Sequence, residues 1–437
     1  MSLAINEVVK QGSLFTPELS EVHEFDDVVT RRLLNVRGDI KESVITSASN
    51  LENAWSSWWK AFLIGKRIQY ISGPPRKLKT LDLFASAGGL SLGVEQAAIS
   101  LGYKNEIQGA VDLDSDALAT YKRNFNPVNV IHKSVSSLID FQTLNAENSV
   151  KLAYDPVPLD DLSDLRNQVD ILVGGPPCQG HSSLNNHTRG RDFRNSLYLT
   201  MPAIGIALNA KAIIIENVPR VTLDHGKVVA KTTSMLRDYG YKVSSGVLSA
   251  DDLGWPQTRS RHFLIASRIR QPLDIGFVAS IFKQEPRDVL WAIGDLQSSF
   301  GDHKLLDTVP QLSPENFNRI NWLFDNDAFE LPNHERPDCH KNGHTYPSVY
   351  GRMYPDKPAP TLTSGYQSPG RGRFVHPTER RVLTSHEAAR LQGFPDNFEF
   401  VAESKEPTRA MLQKWIGDAV PSILGYVAGI TAIDSII

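Results

Sequence analysis

Short apolar runs recur along the chain with turn residues between them, and helical spacing fills several of the gaps. Residues 81–84 form the first strong strand, followed by small residues and a helix opening near Leu90. Residues 107–111 predict the second strand, with a helix over 117–124, and residues 128–131 a short third one. The run Val169, Ile171, Leu172, Val173 predicts a buried strand that is broken at once by two glycines and two prolines. A helix over 196–208, a strand over 211–217, a helix over 227–239 and strands over 241–248 and after Arg261 complete the alternation. Strands alternating with helices predict a parallel α/β sheet with helices on both faces. Before it, residues 1–75 predict a helical extension, whose clearest part is 50–67. There Trp55, Trp58, Trp59, Phe62 and Leu63 recur at three and four, the mark of a core face, with a partner or DNA contact as the alternative because Lys60, Lys66 and Arg67 lie close by.

Candidate chemistry collects where strands end, as it does in open α/β sheets. Cys178 stands just past the break after Val173, between Pro176 and Pro177 on one side and Gln179, His181 and Ser182 on the other. A buried packing cysteine has no use for such polar neighbours, so the position suits a nucleophile. Gly88 and Gly89 allow close backbone approach of a ligand, although the turn matches neither a dinucleotide fingerprint nor a Walker loop. Asp112 ends the second strand, where an acid accepts from ribose hydroxyls, and Asp114 or Ser115 suits the cap of the next helix. Ser134, after the third strand, is placed for an adenine contact. Glu216 leaves an all-apolar strand, where desolvation favours its protonated form, with a cap or ion pair as the plainer reading. Gln257, Arg259 and Arg261 precede the last strand, and two arginines at i and i+2 share one face of an extended segment.

Composition narrows the class. A chain of 437 residues with 2 cysteines has no disulfide framework and suits a reducing cytoplasm; no apolar run is long enough to span a bilayer, and the first residues lack a signal peptide's core. The net charge of -3 hides an asymmetry, since residues 336–381 carry eight Lys or Arg against three Asp or Glu. A basic stretch on an acidic chain marks a nucleic-acid face. In the same stretch His334, Cys339, His340 and His344 cluster, but no second pair at zinc-finger spacing accompanies them, so a polar loop is the preferred reading and no metal is expected.

In order, DLFASAGGLSLG, GGPPCQGHS, IIENV, PQTRSRHF, LTSHEAARLQGFPDNFEF and GDAVPSILGYVAGI resemble the motifs of the DNA cytosine-5 methyltransferases of prokaryotic type, over most of the chain from about Lys79. The resemblance implies a Rossmann-like S-adenosylmethionine-dependent sheet (76–270) with an inserted target-recognition domain (271–383) and a C-terminal segment (384–437) that returns to the first strand. It implies transfer of a methyl group from S-adenosyl-L-methionine to C5 of a cytosine flipped out of double-stranded DNA. Cys178 would attack C6, Glu216 would engage N3 and the exocyclic amine, Arg261 would hold the O2 edge and Arg259 would support the loop. Phe84, Ala85, Gly88, Gly89, Leu90, Asp112, Leu113, Ser134, Pro176, Leu197, Asp418 and Val420 would line the cofactor. Gln179, Ser182, Arg194, Gln257, Thr361, Thr363, Arg371 and Arg373 would face DNA, and a companion restriction endonuclease is a candidate partner. Three departures stand out: His181 for an aromatic residue, Ser134 for an aspartate and Asp418 for an asparagine. The added charge at Asp418 leads to the expectation that Asp418→Asn tightens cofactor binding. An RNA cytosine methyltransferase on the same scaffold and a silent DNA-binding protein of this fold remain the alternatives.

Overall fold

The computed structural model describes residues 28–34, 40–46, 54–70, 75–145, 149–177, 197–298, 305–341 and 348–437. Its N-terminal part corrects the expected helical extension, because strands β1 (Val28–Leu34), β2 (Ile40–Thr46) and β3 (Ile68–Tyr70) form an antiparallel sheet beside one helix, α1 (Ala54–Leu63). The strand is hard to read in VVTRRLL because a cation occupies an inward position: Arg31 is buried, with its guanidinium 3.9 Å from the Trp58 ring centre. Burial lowers the Arg31 pKa to about 10. The aromatic stripe of α1 is core, as its spacing predicts, and the alternative of a DNA or partner contact falls, since Trp55, Trp58, Trp59, Phe62 and Leu63 are all buried. Trp55 Nε1 donates to Leu253 O, and Lys60 Nζ pairs with Asp295 at 2.7 Å, so the extension is fastened to the main body.

The main sheet has seven strands: β4 (Arg76–Leu83), β5 (Tyr103–Asp112), β6 (Val130–His132), β7 (Ile171–Gly174), β8 (Ala212–Asn217), β9 (Lys242–Ser249) and β10 (Ser260–Ser267). Their order is β9-β10-β8-β7-β4-β5-β6, parallel except for β10, which runs antiparallel to both neighbours. Arg261, expected before the last strand, lies within it opposite Leu248. Alternation within each strand feeds two cores. Ile171, Val173, Ala212, Ile214, Phe263 and Ile265 join one, while Leu172, Ile213, Ile215, Leu264 and Ala266 join the other. That two-sided burial explains why these strands read as unbroken apolar runs. Helices α2 (Gly89–Ser100), α3 (Ser115–Phe125), α4 (Thr200–Ala207) and α5 (Val228–Asp238) connect them. The chain leaves β4 toward β5 and β6 and returns on its other side at β7, so a crevice opens beyond the carboxyl ends of β4 and β7.

Helices α6 (Ile275–Ile281) and α7 (Val289–Ile293) follow the sheet and pack into its core through Ile275, Val278, Phe282, Val289, Ala292 and Ile293. The boundary expected at 271 is therefore corrected: a separate small core gathers only later, from Ile320 and Leu323 of α8 (Pro314–Asp325) with Leu331, Val375 and Val382. Helices α9 (Ser385–Gln392), α10 (Arg409–Asp418) and α11 (Ser422–Asp434) then rejoin the main body. A side chain at Gly93 of α2 would place its Cβ 2.2 Å from Ser422 O, and one at Gly429 of α11 would place it 2.7 Å from the Ala97 Cβ. The two helices touch through backbone, which only glycine permits. Among the described residues, no single helix is long and apolar enough to cross a membrane.

Candidate active site

The turn from β4 into α2 is bent by positive φ at Phe84 (59°), Ser86 (47°) and Gly88 (96°). Beneath it Asp82 is buried, accepts from Ser91 Oγ at 2.5 Å, and is pushed up to about 7 by burial. Ala85 N donates to Val111 O, and Ser86 N donates to Asp112 Oδ2 at 2.8 Å, which fastens the turn to the end of β5. Asp112 Oδ1 accepts from Asp114 N, and Asp114 caps α3 by accepting from Ala117 N, as its place in the sequence predicts. The Leu113 side chain is 69% exposed beside this carboxylate, a free apolar face next to an acid. Ser134 Oγ is 2.8 Å from Ser136 Oγ.

From the other side the C-terminal segment closes on the turn. A Cβ on Gly89 would lie 2.9 Å from the Ala419 Cβ and 3.1 Å from Val420 O. Leu90 and Val420 are buried there. Lys414 Nζ pairs with Asp114 at 2.7 Å, bridging α10 to the acidic end of β5. A kinked backbone turn, an exposed leucine and a strand-end carboxylate suit the methionine, adenine and ribose of S-adenosyl-L-methionine by residue type.

Beyond β7 and β8 lies a second group. Glu216 is 8% exposed, and its Oε1 is 2.8 Å from Arg261 Nε. Burial raises the carboxyl pKa, and the Arg261 and Arg259 guanidinium groups oppose the shift. A Cβ on Gly175 would lie 2.8 Å from Glu216 Oε2, so the first residues of the GPP turn rest on the carboxylate. Asn217 Nδ2 donates to Pro176 O at 3.2 Å and Asn217 Oδ1 accepts from Val218 N, tying the two strand ends together. Cys178, Gln179, Ser182 and Arg194 lie outside the described residues. Leu197 begins the chain again, with its carbonyl accepting from Thr200 Oγ1.

Arg259 and Arg261 do not serve one ligand from one face. Arg259 is buried and donates to the carbonyls of Leu362, Gly417 and Asp418, holding together the strand start, the loop at 362 and the end of α10. Arg261 is the one turned to Glu216. Two residues expected to face DNA are corrected. Gln257 is fully buried, its Nε2 donating to Leu391 O and its Oε1 accepting from Leu362 N. Arg373 donates to Phe329 O and Arg352 O and pairs with Glu330, with its side chain only 11% exposed. Each spends its donors inside the protein. Thr361 Oγ1 donates to Thr258 O, Thr363 Oγ1 accepts from Gly365 N, and Arg371 is exposed. In the histidine group, His334 stacks edge-on against Trp322 and His340 against Tyr350, while His344 lies outside the described residues.

Three residues escaped the sequence reading. Tyr198 is buried with no hydrogen-bond partner for its hydroxyl among the described residues, and burial together with the Glu216 charge pushes that hydroxyl up. Asn217 and Asp82 are the others. The signal for Asn217 was its position beside Glu216 at a strand end; Asp82 offered one too, as a lone acid within an apolar strand.

These elements define an α/β protein that places an acid–arginine pair and a glycine turn at the same end of one sheet. The model of the C-5 cytosine-specific DNA methylase family matches residues 78–429, and the chain belongs to that family. It is a DNA (cytosine-5) methyltransferase that uses S-adenosyl-L-methionine as methyl donor. It is 40% identical over 348 residues to the type II methyltransferase M1.BsuMI of Bacillus subtilis strain 168, covering 79% of this chain and 78% of that one. Against the type II methylase M.HgiDII of Herpetosiphon aurantiacus the identity is 32%, with 79% and 92% covered. The fold is similar to that of the methyltransferase EhMeth of Entamoeba histolytica, at TM-score 0.52 and 16% identity, covering 81% and 96%. It is also similar to that of the S. pombe Dnmt2 methyltransferase, at TM-score 0.51 and 17% identity, covering 82% and 98%.

Proposed function

We propose that the chain methylates a cytosine within a specific sequence of double-stranded DNA through a covalent adduct on Cys178. The observation that carries this reading is the buried Glu216 carboxylate, ion-paired to Arg261 and pressed against Gly175, three residues before Cys178. The Cys178 thiolate adds to C6 of the flipped base, forming the sulfur–carbon bond. Glu216 gives its proton to N3 as the ring electrons shift, and its other oxygen accepts from the exocyclic amine. A carboxyl whose pKa is raised by burial holds that proton more readily at neutral pH. Arg261 keeps Glu216 in place and turns its remaining N–H groups to the O2 edge. After methylation, loss of the C5 proton to water restores the ring double bond and expels the Cys178 thiolate, and N3 returns its proton to Glu216.

Phe84, Ala85, Gly88, Gly89, Leu90, Asp112, Leu113, Ser134, Pro176, Leu197, Asp418 and Val420 hold S-adenosyl-L-methionine, which when bound supplies an electrophilic methyl group. Gln179, Ser182, Arg194, Thr361, Thr363 and Arg371 remain the DNA contacts of this reading. The inserted residues up to Leu383 form the target-recognition unit, with its own core from α8 onward supporting it. The type II names of the similar bacterial proteins support a restriction endonuclease as companion and a prokaryotic cytoplasmic setting.

The test is methyl transfer from radiolabelled S-adenosylmethionine to unmethylated genomic duplex DNA by wild type and Cys178→Ala, with sequencing of converted cytosines. Transfer at one recurrent sequence that vanishes in the variant is expected. Transfer that persists in Cys178→Ala overturns the covalent route, and transfer without any recurrent sequence overturns the specificity.

A further inference from the structure

A cavity of about 290 Å³ lies behind the glycine turn, between the end of α1, one face of α2, the end of α3 and the segment that follows α9. Hydrogen bonds hold its walls together. Asp396 N donates to Leu63 O at 2.8 Å, and Asn124 exchanges two hydrogen bonds with the Glu399 backbone, its Nδ2 donating to the carbonyl and its Oδ1 accepting from the amide. The rings of Phe62, Phe125 and Phe398 line the cavity, the last two edge-on with centres 6.0 Å apart. Phe125 also backs onto the glycine turn, since a Cβ on Gly88 would lie 2.3 Å from its ring. The polar groups of the cavity are sorted by charge. Glu95 and Gln96, at successive positions of α2, bring acceptors to its inner part. Glu95 has no hydrogen-bond or ion-pair partner among the described residues, and burial alone pushes its carboxyl up to about 7. Gln96 is 4% exposed, and its Oε1 is buried without a hydrogen-bond partner among those residues. Lys66 and Arg67, both exposed, bring positive charge to the mouth.

We propose that this cavity is a second ligand site, apart from the cofactor and DNA surfaces, and that it takes a guanine nucleotide. Two unsatisfied acceptors side by side call for a ligand edge made of N–H donors. Guanine offers N1–H and the 2-amino group on one edge, a parallel pair that a single carboxylate accepts in full. Adenine sets its N1 acceptor on the corresponding edge and would leave Glu95 unsatisfied or opposed. The flat ring suits the three phenyl walls, and a phosphate at the far end of the ligand meets Lys66 and Arg67. The volume is at the lower end of the range for small-molecule sites, which suits one mononucleotide. The inference does not depend on the methyl-transfer route, because none of these residues takes part in it.

The experiment is calorimetric titration of the full chain with guanosine monophosphate, adenosine monophosphate and inorganic phosphate, each with saturating S-adenosylhomocysteine present to occupy the cofactor pocket. One guanosine monophosphate is expected to bind per chain, with adenosine monophosphate at least about tenfold weaker and no measurable binding of phosphate. Glu95→Gln keeps the side chain's shape but replaces one acceptor oxygen with a donor, and is expected to weaken guanosine monophosphate by about tenfold or more. Lys66→Glu, on the exposed mouth, is expected to weaken it by about fivefold and to leave the binding of guanosine, which has no phosphate, at the wild-type level. That second variant tests the site even if Glu95→Gln fails to fold. Wild type that does not bind guanosine monophosphate overturns the inference, as does Glu95→Gln or Lys66→Glu that binds it with wild-type affinity. Equal affinity for the two nucleotides, or binding of phosphate alone, overturns it as well.

Discussion

Arg261 Nε stands 2.8 Å from Glu216 Oε1, across the paired strands β10 and β8. The pair spans a site in which one member must carry a proton while the other remains charged. Glu216→Gln keeps the shape but removes the transferable proton, and methyl transfer is expected to fall by about a hundredfold or more with DNA binding retained. Arg261→Ala removes a guanidinium that lowers the Glu216 pKa, so the carboxyl titrates higher. The alkaline limb of a single-turnover pH profile, where protonated Glu216 is lost, is expected to move to higher pH. A limb that stays in place would exclude Glu216 as the proton donor.

Gln257 and Arg371 separate the buried from the exposed polar residues of the DNA side. Gln257→Ala orphans the Leu362 amide and Gln392 Oε1, while Leu391 O keeps Trp255 Nε1, and denaturant unfolding is expected to show a loss of about 1–3 kcal/mol with the methylated sequence unchanged. Arg371→Ala is expected to leave stability unchanged and to weaken DNA binding, with the slope of log affinity against log salt smaller by about 1 if it meets a phosphate. Reversed results in the two variants would place Gln257 at the DNA after all.

Gly93 of α2 lies against the backbone of α11. With a Cβ there 2.2 Å from Ser422 O, Gly93→Ala forces the helices apart, and a loss above about 3 kcal/mol in thermal or denaturant unfolding is expected. Gly240, whose added Cβ meets nothing but whose φ is +81°, serves as the contrast: Gly240→Ala carries backbone strain alone and is expected to cost about 1 kcal/mol.

Asp82, Glu95 and Asp434 all have carboxyls pushed up to about 7 by burial. In the unfolded chain they titrate near 4, so between about pH 4 and pH 7 the folded state binds more protons and these groups lose stability for it as pH rises. Asp82→Asn removes one of the three, and its stability is expected to decline less steeply than that of wild type over that window. An unchanged slope in urea unfolding across the window would show that Asp82 is ionised in the folded protein.

Much of this was legible because each signal is local. Apolar runs bounded by glycine and proline mark strands buried on both faces, and strand-end positions picked out Asp112 and Glu216 before any contact was known. The alternation of Trp55, Trp58, Trp59 and Phe62 fixed one helix face as core. What failed depended on neighbours far along the chain. Arg31 makes β1 look polar, and the Trp58 and Tyr426 rings with the Gln96 carbonyl, all brought up by folding, make its burial tolerable. Gln257 and Arg373 resemble DNA readers by composition, yet the Leu391 carbonyl engages Gln257 and the Phe329 and Arg352 carbonyls with the Glu330 carboxylate engage Arg373.

The sequence by itself determined the order of strands and helices within the main sheet, the acids at strand ends and the family, because hydrophobic period and motif spacing are properties of the chain. Tertiary structure alone decided which arginine meets Glu216 and which polar side chains are spent on backbone carbonyls. Those outcomes depend on which groups share a small desolvated volume. There a charge is costly without a partner, and the partner is chosen by packing rather than by position in the chain.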